Sequence, residues 1–142
     1  MVIRTLEEAD IDKGLLDVLG NLSKVEKISN GRFGRIFTVY KKQDSPYRVW
    51  VAEEAGRIIA TATLIVTWKL LRGGIKAGRI SDVATHPDWE GRGIGSQLVK
   101  NLIEIAKFEG CYKVTLSCSR KNTTWYAKFG FREHEMAMRL DL

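Results

Sequence analysis

At 142 residues the chain has the length of one domain, and 44% hydrophobic with 28% charged residues is the balance of an ordinary globular protein. A net charge of +6 and a pI near 9.4 suit an anionic ligand, but no block of five or more basic residues speaks for nucleic acid. No window approaches the roughly 18 consecutive apolar residues of a membrane span, and Arg4, Glu7, Glu8 and Asp10 interrupt any secretory leader.

Cys111 and Cys118 are too few and too poorly spaced for a zinc site or a disulfide framework. The expectation is a cytoplasmic protein with no metal, in which both thiols pack as small hydrophobes.

In chain order, Val2–Leu6 alternates as a short strand. Asp10 or Asp12 can cap a helix carrying Ile11, Leu15, Leu16 and Leu19 and ending at Gly20. Asn21–Lys27 is a connecting loop able to lie over a site. Ser29 or Asn30 caps a second helix with Phe33, Ile36, Phe37 and Tyr40 at helical spacing, and the run to Pro46 breaks it. Tyr47–Glu53 and the β-rich run Arg57–Lys69 read as strands around a turn at Glu54–Gly56. Gly73-Gly74 then turns into a strand at Arg79–Thr85. Ile94, Leu98, Leu102 and Ile105 mark a long helix that Gly110 stops. Lys113–Cys118 is a further strand, Asn122–Phe129 a short helix with Asn122 as cap, and Phe131–Leu140 a closing strand. The pattern predicts an α+β fold over 1–142, one domain whose mostly antiparallel sheet is flanked by helices.

The organising stretch joins the Arg79–Thr85 strand to the long helix through Gly91-Arg92-Gly93-Ile94-Gly95. Glycines at alternate positions clear side chains from the backbone where the helix begins. The first-turn N–H groups have no internal partner and carry partial positive charge, so the end is ready for a phosphate. Arg92 and Ser96 add a cation and a hydroxyl. The spacing fits neither a dinucleotide fingerprint nor a nucleoside-triphosphate loop.

This loop, the order of elements and the run Asn122-Thr-Thr-Trp-Tyr-Ala-Lys-Phe-Gly-Phe131 together resemble the GNAT superfamily of acetyl-CoA-dependent N-acetyltransferases. The resemblance implies that backbone N–H groups of Gly91, Arg92, Gly93, Ile94, Gly95 and Ser96 bind the pyrophosphate of acetyl-CoA. It further implies that Val83, Ala84 and Thr85 pair with the pantetheine arm, with Asn122, Tyr126 and Lys128 on the same cofactor. Glu90 departs from the Gln or Arg that opens the superfamily's loop.

A closer resemblance, to the glucosamine 6-phosphate N-acetyltransferase family, rests on Val18–Ser23, Ile59–Leu64, Lys69–Arg72, Gly110–Val114 and Glu135–Arg139. It implies a homodimer with exchanged C-terminal strands, acting on the route to UDP-N-acetylglucosamine. The substrate contacts it implies are Ser23, Lys69, Arg72, Ser81, Asp82, Tyr112, Lys113, Ser117 and, from the partner chain, Arg139. Ser81 and Ser117 stand where that family usually has acids.

Acetyl transfer to an amine needs a neutral amine, a placed thioester, a donor for the oxyanion and a proton for the leaving thiolate. Direct attack requires no enzyme nucleophile, so neither cysteine is needed. Tyr126, with an ordinary pKa of about 10, is the general-acid candidate; alternatively it packs between helix and sheet. Asp82 can orient the amine or accept its proton, or pair with Arg79. His86 and His134 are expected to be structural. Rival readings are a GNAT enzyme for another amine and a non-catalytic acyl-CoA-binding module.

Overall fold

A computed structural model describes residues 1–142. Five strands form one sheet in chain order: β1 (Val2–Thr5), β2 (Tyr47–Glu54), β3 (Arg57–Lys69), β4 (Ile75–Thr85) and β5 (Cys111–Thr115). The first three pairings are antiparallel and β4–β5 is parallel. A parallel pair needs a crossover, and α3 (Ile94–Phe108) supplies it. The expected α+β architecture with a mostly antiparallel sheet is present.

Each face of the sheet is covered. Ile94, Leu98, Val99, Leu102 and Ala106 of α3 pack on Ala60, Ala62, Leu64, Val66 and Ile80, all buried. Their i, i+4 recurrence is the apolar stripe legible in the sequence. On the other face, α1 (Leu15–Leu19) and α2 (Asn30–Lys41) bring Leu15, Val18 and Phe33 against Val51, Ile58 and Ala84. Ser29 caps α2, its hydroxyl accepting from the Arg32 N–H at 3.2 Å.

Several boundaries differ from the sequence reading. The first helix is two pieces, a 3-10 turn over Glu8–Lys13 and α1, because Gly14 between them is left-handed (φ 89°). Asp10 sits at 0% exposure and takes two Arg4 hydrogen bonds, at 2.7 and 2.8 Å, as well as the Glu7 N–H at 2.8 Å. Lys13 and Glu53 complete the cluster, so the N-terminal segment is pinned to β2. The strand expected from Arg79 begins at Ile75, and that expected over Lys113–Cys118 is Cys111–Thr115.

Asn122 precedes α4 (Thr123–Ala127), but its side chain makes no capping bond. Phe131–Leu140 forms no strand. Met136, Met138 and Leu140 do alternate as a strand would, yet they are 89%, 94% and 83% exposed, and no strand of the same chain lies beside them. Backbone ladders need a neighbour, and within one chain this segment has none.

Candidate active site

The site is built where β4 and β5 part. Their register runs Lys76↔Cys111, Gly78↔Val114 and Arg79↔Thr115, and then stops. From Ile80 to Thr85 β4 keeps its β3 neighbour but has no β5 ladder, so one edge of its backbone lies open. An open edge of this kind is a template for an added extended segment.

Within that open stretch β4 bulges. Thr61 pairs with Ala84 but Thr63 pairs with Ser81, so two β3 steps face three on β4. Asp82 absorbs the difference with φ 52°, left-handed and costly for a residue with a Cβ. Its side chain is exposed at the site. The alternative of an Arg79–Asp82 ion pair does not form; Arg79 instead donates to the Ser117 hydroxyl at 2.9 Å. Burial, then Tyr47, then the Asp82 charge raise the Tyr40 phenol above its ordinary pKa, so α2 also faces this region.

At the C-terminal end of β4 the glycine loop behaves as its spacing implied. Gly91 (φ 74°) and Gly93 (φ 77°) are left-handed, and Gly93 is the N-cap of α3 without any side-chain capping bond. A Cβ at either would meet nothing within 4 Å, so the loop surface is open. The first N–H groups of α3 are thus left without a side-chain cap, as at helix starts that can receive an anion. A Cβ at Gly95 would lie 3.4 Å from Thr85 Oγ1 and 3.7 Å from Trp125, which keeps the helix start close to β4. Arg92 turns aside from the expected loop position, its guanidinium stacking 4.6 Å above Trp89 and donating to the Asp88 carbonyl. Ser96 is half-buried in the first turn.

Asn21 is a contact the residue pattern did not single out. Its Nδ2 donates at 2.7 Å to the Thr85 carbonyl and at 2.7 Å to Glu90 Oε1. The unusual Glu90 is therefore held by the loop after α1 rather than aimed at the glycine cradle. Only that loop's expected position over a site hinted at this.

Tyr126 is half-buried on α4, with Trp125 edge-on at 4.7 Å and Phe131 edge-on at 6.0 Å. Burial, and secondarily Cys118, push its phenol above the ordinary value of 10. A phenol so placed stays protonated at neutral pH and can give up its proton only to a strong base. On β4, Val83 packs on the same α3-side core as Tyr126, while Ala84 is buried in the cluster on the other face. Asn122 and Lys128 flank α4 and are exposed. Cys111 is half-buried, but Cys118 is exposed, contrary to the expectation that both are packing groups.

The expected sugar-phosphate contacts are not gathered in one place within the chain. Ser81, Asp82 and Ser117 lie at the parting of the strands. Lys69 and Arg72 lie at the other end of β4, roughly 20 Å away at about 3.3 Å per residue. Tyr112 and Lys113 lie nearer, on β5 beside the Lys76–Gly78 stretch of β4. There Arg72 stacks 4.6 Å from the Tyr112 ring with Lys113 at 5.3 Å, and these two cations hold the phenol below its ordinary pKa, Lys113 most strongly. Ser23 is exposed on the loop after α1. Arg139 pairs only with Asp141, at 2.6 Å, in the uncovered tail. His86 is structural, its Nδ1 accepting the Asp88 N–H, while His134 lies in that tail.

The Acetyltransferase (GNAT) family pattern matches residues 22–131. The chain belongs to the GNAT acetyltransferase family. Full-length similarity places this acetyltransferase among the glucosamine 6-phosphate N-acetyltransferases. It is 38% identical to the Trypanosoma brucei brucei protein of that name over 99% of this chain and 95% of that one. A probable second glucosamine 6-phosphate N-acetyltransferase of Oryza sativa subsp. japonica is 39% identical, over 96% of this chain and 84% of the rice protein. The crystal structure of the Arabidopsis thaliana glucosamine-6-phosphate N-acetyltransferase superposes with a TM-score of 0.94. It is 33% identical and covers 99% of this chain and 97% of that one. No helix of the acetyltransferase is long and apolar enough to cross a membrane.

Proposed function

We propose that this acetyltransferase moves the acetyl group of acetyl-CoA to the amine of glucosamine 6-phosphate by direct attack in a ternary complex. Full-length similarity to several proteins of that name carries the reading. The parted strands and the free α3 N-terminus support it, as does a protonated tyrosine beside them.

In this mechanism the glycine cradle holds the pyrophosphate and the open edge at Val83–Thr85 pairs with the pantetheine arm. A β4 N–H near Val83 faces the thioester carbonyl and stabilises the oxyanion, a contribution typically of about 10²–10³ in rate. Asp82 orients the acceptor amine or takes its proton. Tyr126 returns a proton to the leaving thiolate.

Because the glycine loop acts through backbone, Gly93→Val is the informative change there. A β-branched residue at φ 77° is expected to cost about 1–2 kcal/mol and to raise KM for acetyl-CoA with little change in KM for the sugar. Steady-state kinetics beside thermal unfolding reads both; an unaltered KM would remove the cradle's role.

The site is completed by a second copy on this reading. The tail from Arg132 onward is exposed, alternates apolar residues and carries Arg139, while β5 leaves its outer edge without a strand. Exchange of tails would bring the partner's Arg139 toward the sugar. Analytical ultracentrifugation is expected to give twice the 16.1 kDa chain mass, and removal of residues 132–142 to yield monomers.

The functional test is release of CoA thiol from acetyl-CoA with glucosamine 6-phosphate, set beside glucosamine, galactosamine 6-phosphate, spermidine and a peptide amine. Preference for glucosamine 6-phosphate is the expected result. Turnover only with another amine would overturn the substrate; Ser81 and Ser117 raise that alternative, though a polyamine or peptide site would be acidic there.

A further inference from the structure

Asn21 and Glu90 have no part in the chemistry above, yet they meet beside the glycine loop. The Asn21 backbone N–H bonds to the Val18 carbonyl at 3.1 Å, which fixes the residue to the last turn of α1, and Val18 is fully buried. Its side chain reaches the end of β4. There Ala60 stands opposite Thr85, and the next rung is the His86 N–H on the Ile59 carbonyl at 2.8 Å. In an antiparallel ladder the residue before such a rung turns its own N–H and C=O away from the partner strand, so the Thr85 carbonyl lies on the open edge. Asn21 Nδ2 donates to it at 2.7 Å. A carboxamide has two N–H donors. With one anchored on backbone, the other is held in place, and it donates to Glu90 Oε1 at 2.7 Å.

We propose that Asn21 is a positioning residue for the cofactor site, holding the Glu90 carboxylate off the start of α3 so that the glycine loop can accept a polyanion. The proposal rests on the acetyl-CoA part of the reading above and on no particular acceptor. Glu90 stands three residues before Gly93, the N-cap of α3, so its backbone lies within about 11 Å of that cap. This is about one Debye length at 0.1 M salt, and a free carboxylate there would repel a pyrophosphate. No cation neutralises it. Arg92, the nearest in sequence, stacks on Trp89 and donates to the Asp88 carbonyl. Because α1 and α3 cover opposite faces of the sheet, the Asn21 bond draws the carboxylate toward the α1 side, away from the helix that receives the anion.

A double-mutant cycle on the full chain tests this with Asn21→Ala, Glu90→Gln and the two combined, read by calorimetric titration of CoA. Both side chains are exposed, and thermal unfolding should be little changed. Asn21→Ala is expected to weaken CoA binding about 3- to 10-fold at low salt, the size of one like-charge contact in a solvated site. The gap should narrow at about 0.5 M NaCl, where such a contact is screened. Glu90→Gln should restore binding in the Asn21→Ala chain and alter it little in the wild type.

Unchanged CoA binding in Asn21→Ala would overturn the proposal. So would a loss that Glu90→Gln does not repair or that salt does not shrink, since Asn21 would then only anchor the loop after α1. An equal gain from Glu90→Gln in both backgrounds would also overturn it, because the carboxylate would repel the cofactor with the Asn21 bond intact. No acceptor enters these titrations. A wild type that gives the expected cycle yet acetylates no amine would overturn the functional reading and keep the Asn21 assignment. A wild type that binds no CoA would overturn both.

Discussion

Replacing Tyr126 with phenylalanine is expected to lower kcat about 10²- to 10⁴-fold, the usual loss on removing a general acid, with KM for acetyl-CoA nearly unchanged. The substitution is clean because the ring stays clamped by Trp125 and Phe131, and only the hydroxyl leaves. The pH dependence gives an independent check. Burial and the neighbouring Cys118 raise the phenol above 10, so it is protonated at neutral pH. On the proposed mechanism the alkaline fall of the wild-type rate comes as pH rises through that elevated value. Tyr126→Phe should lack this alkaline limb. Undiminished turnover in the variant would reduce Tyr126 to a packing residue.

The largest effect on stability is expected at Asp10, far from the chemistry. Asp10→Ala removes a fully buried carboxylate that takes two Arg4 hydrogen bonds and the Glu7 N–H. Breaking a buried pair on one side costs about 3–5 kcal/mol, and Glu53, which also binds Arg4, puts the expectation near the lower figure. Burial alone would raise the Asp10 pKa, but the Arg4 bonds, the Glu7 N–H and Lys13 together bring it below the ordinary value of 3.8. The folded state therefore binds this proton less readily than the unfolded chain. The stabilisation is complete above the unfolded value and fades as pH falls through the folded one. Urea unfolding at pH 7 should show the full difference between wild type and Asp10→Ala. Near pH 3 the two should draw together, and a gap independent of pH would show that packing, not charge, is what Asp10 supplies.

How far the sequence could be read varied with the kind of interaction. The strand, glycine loop and long helix from Arg79 to Gly110 were legible because each rests on local rules. These are alternation, positive φ at Gly91 and Gly93, and the stripe of Ile94, Leu98 and Leu102. The α+β class followed from the order of such segments. Long-range polar contacts were not legible. Nothing in the spacing of Asn21, Thr85 and Glu90 indicates that one amide joins the other two. Asp10 read as a helix cap, although tertiary burial made it the centre of an ion-pair cluster. The C-terminal segment has strand patterning without a strand, since patterning sets which side is apolar and not whether a neighbour is present. The gathering of Arg79 with Ser117 needed the register of β4 on β5, which no single-strand pattern contains.

The bulge at Asp82 sets heat resistance against turnover at a single codon. Glycine would relax the left-handed backbone there, for a gain of about 1 kcal/mol, and would touch no core residue. Selection for thermal survival alone would therefore move position 82 toward glycine, while on the proposed mechanism selection for acetyl transfer would hold the acid. Laboratory evolution of a hardier form of this enzyme would, on that mechanism, have to keep both pressures on at once, or it would enrich well-folded proteins without the carboxylate that handles the amine.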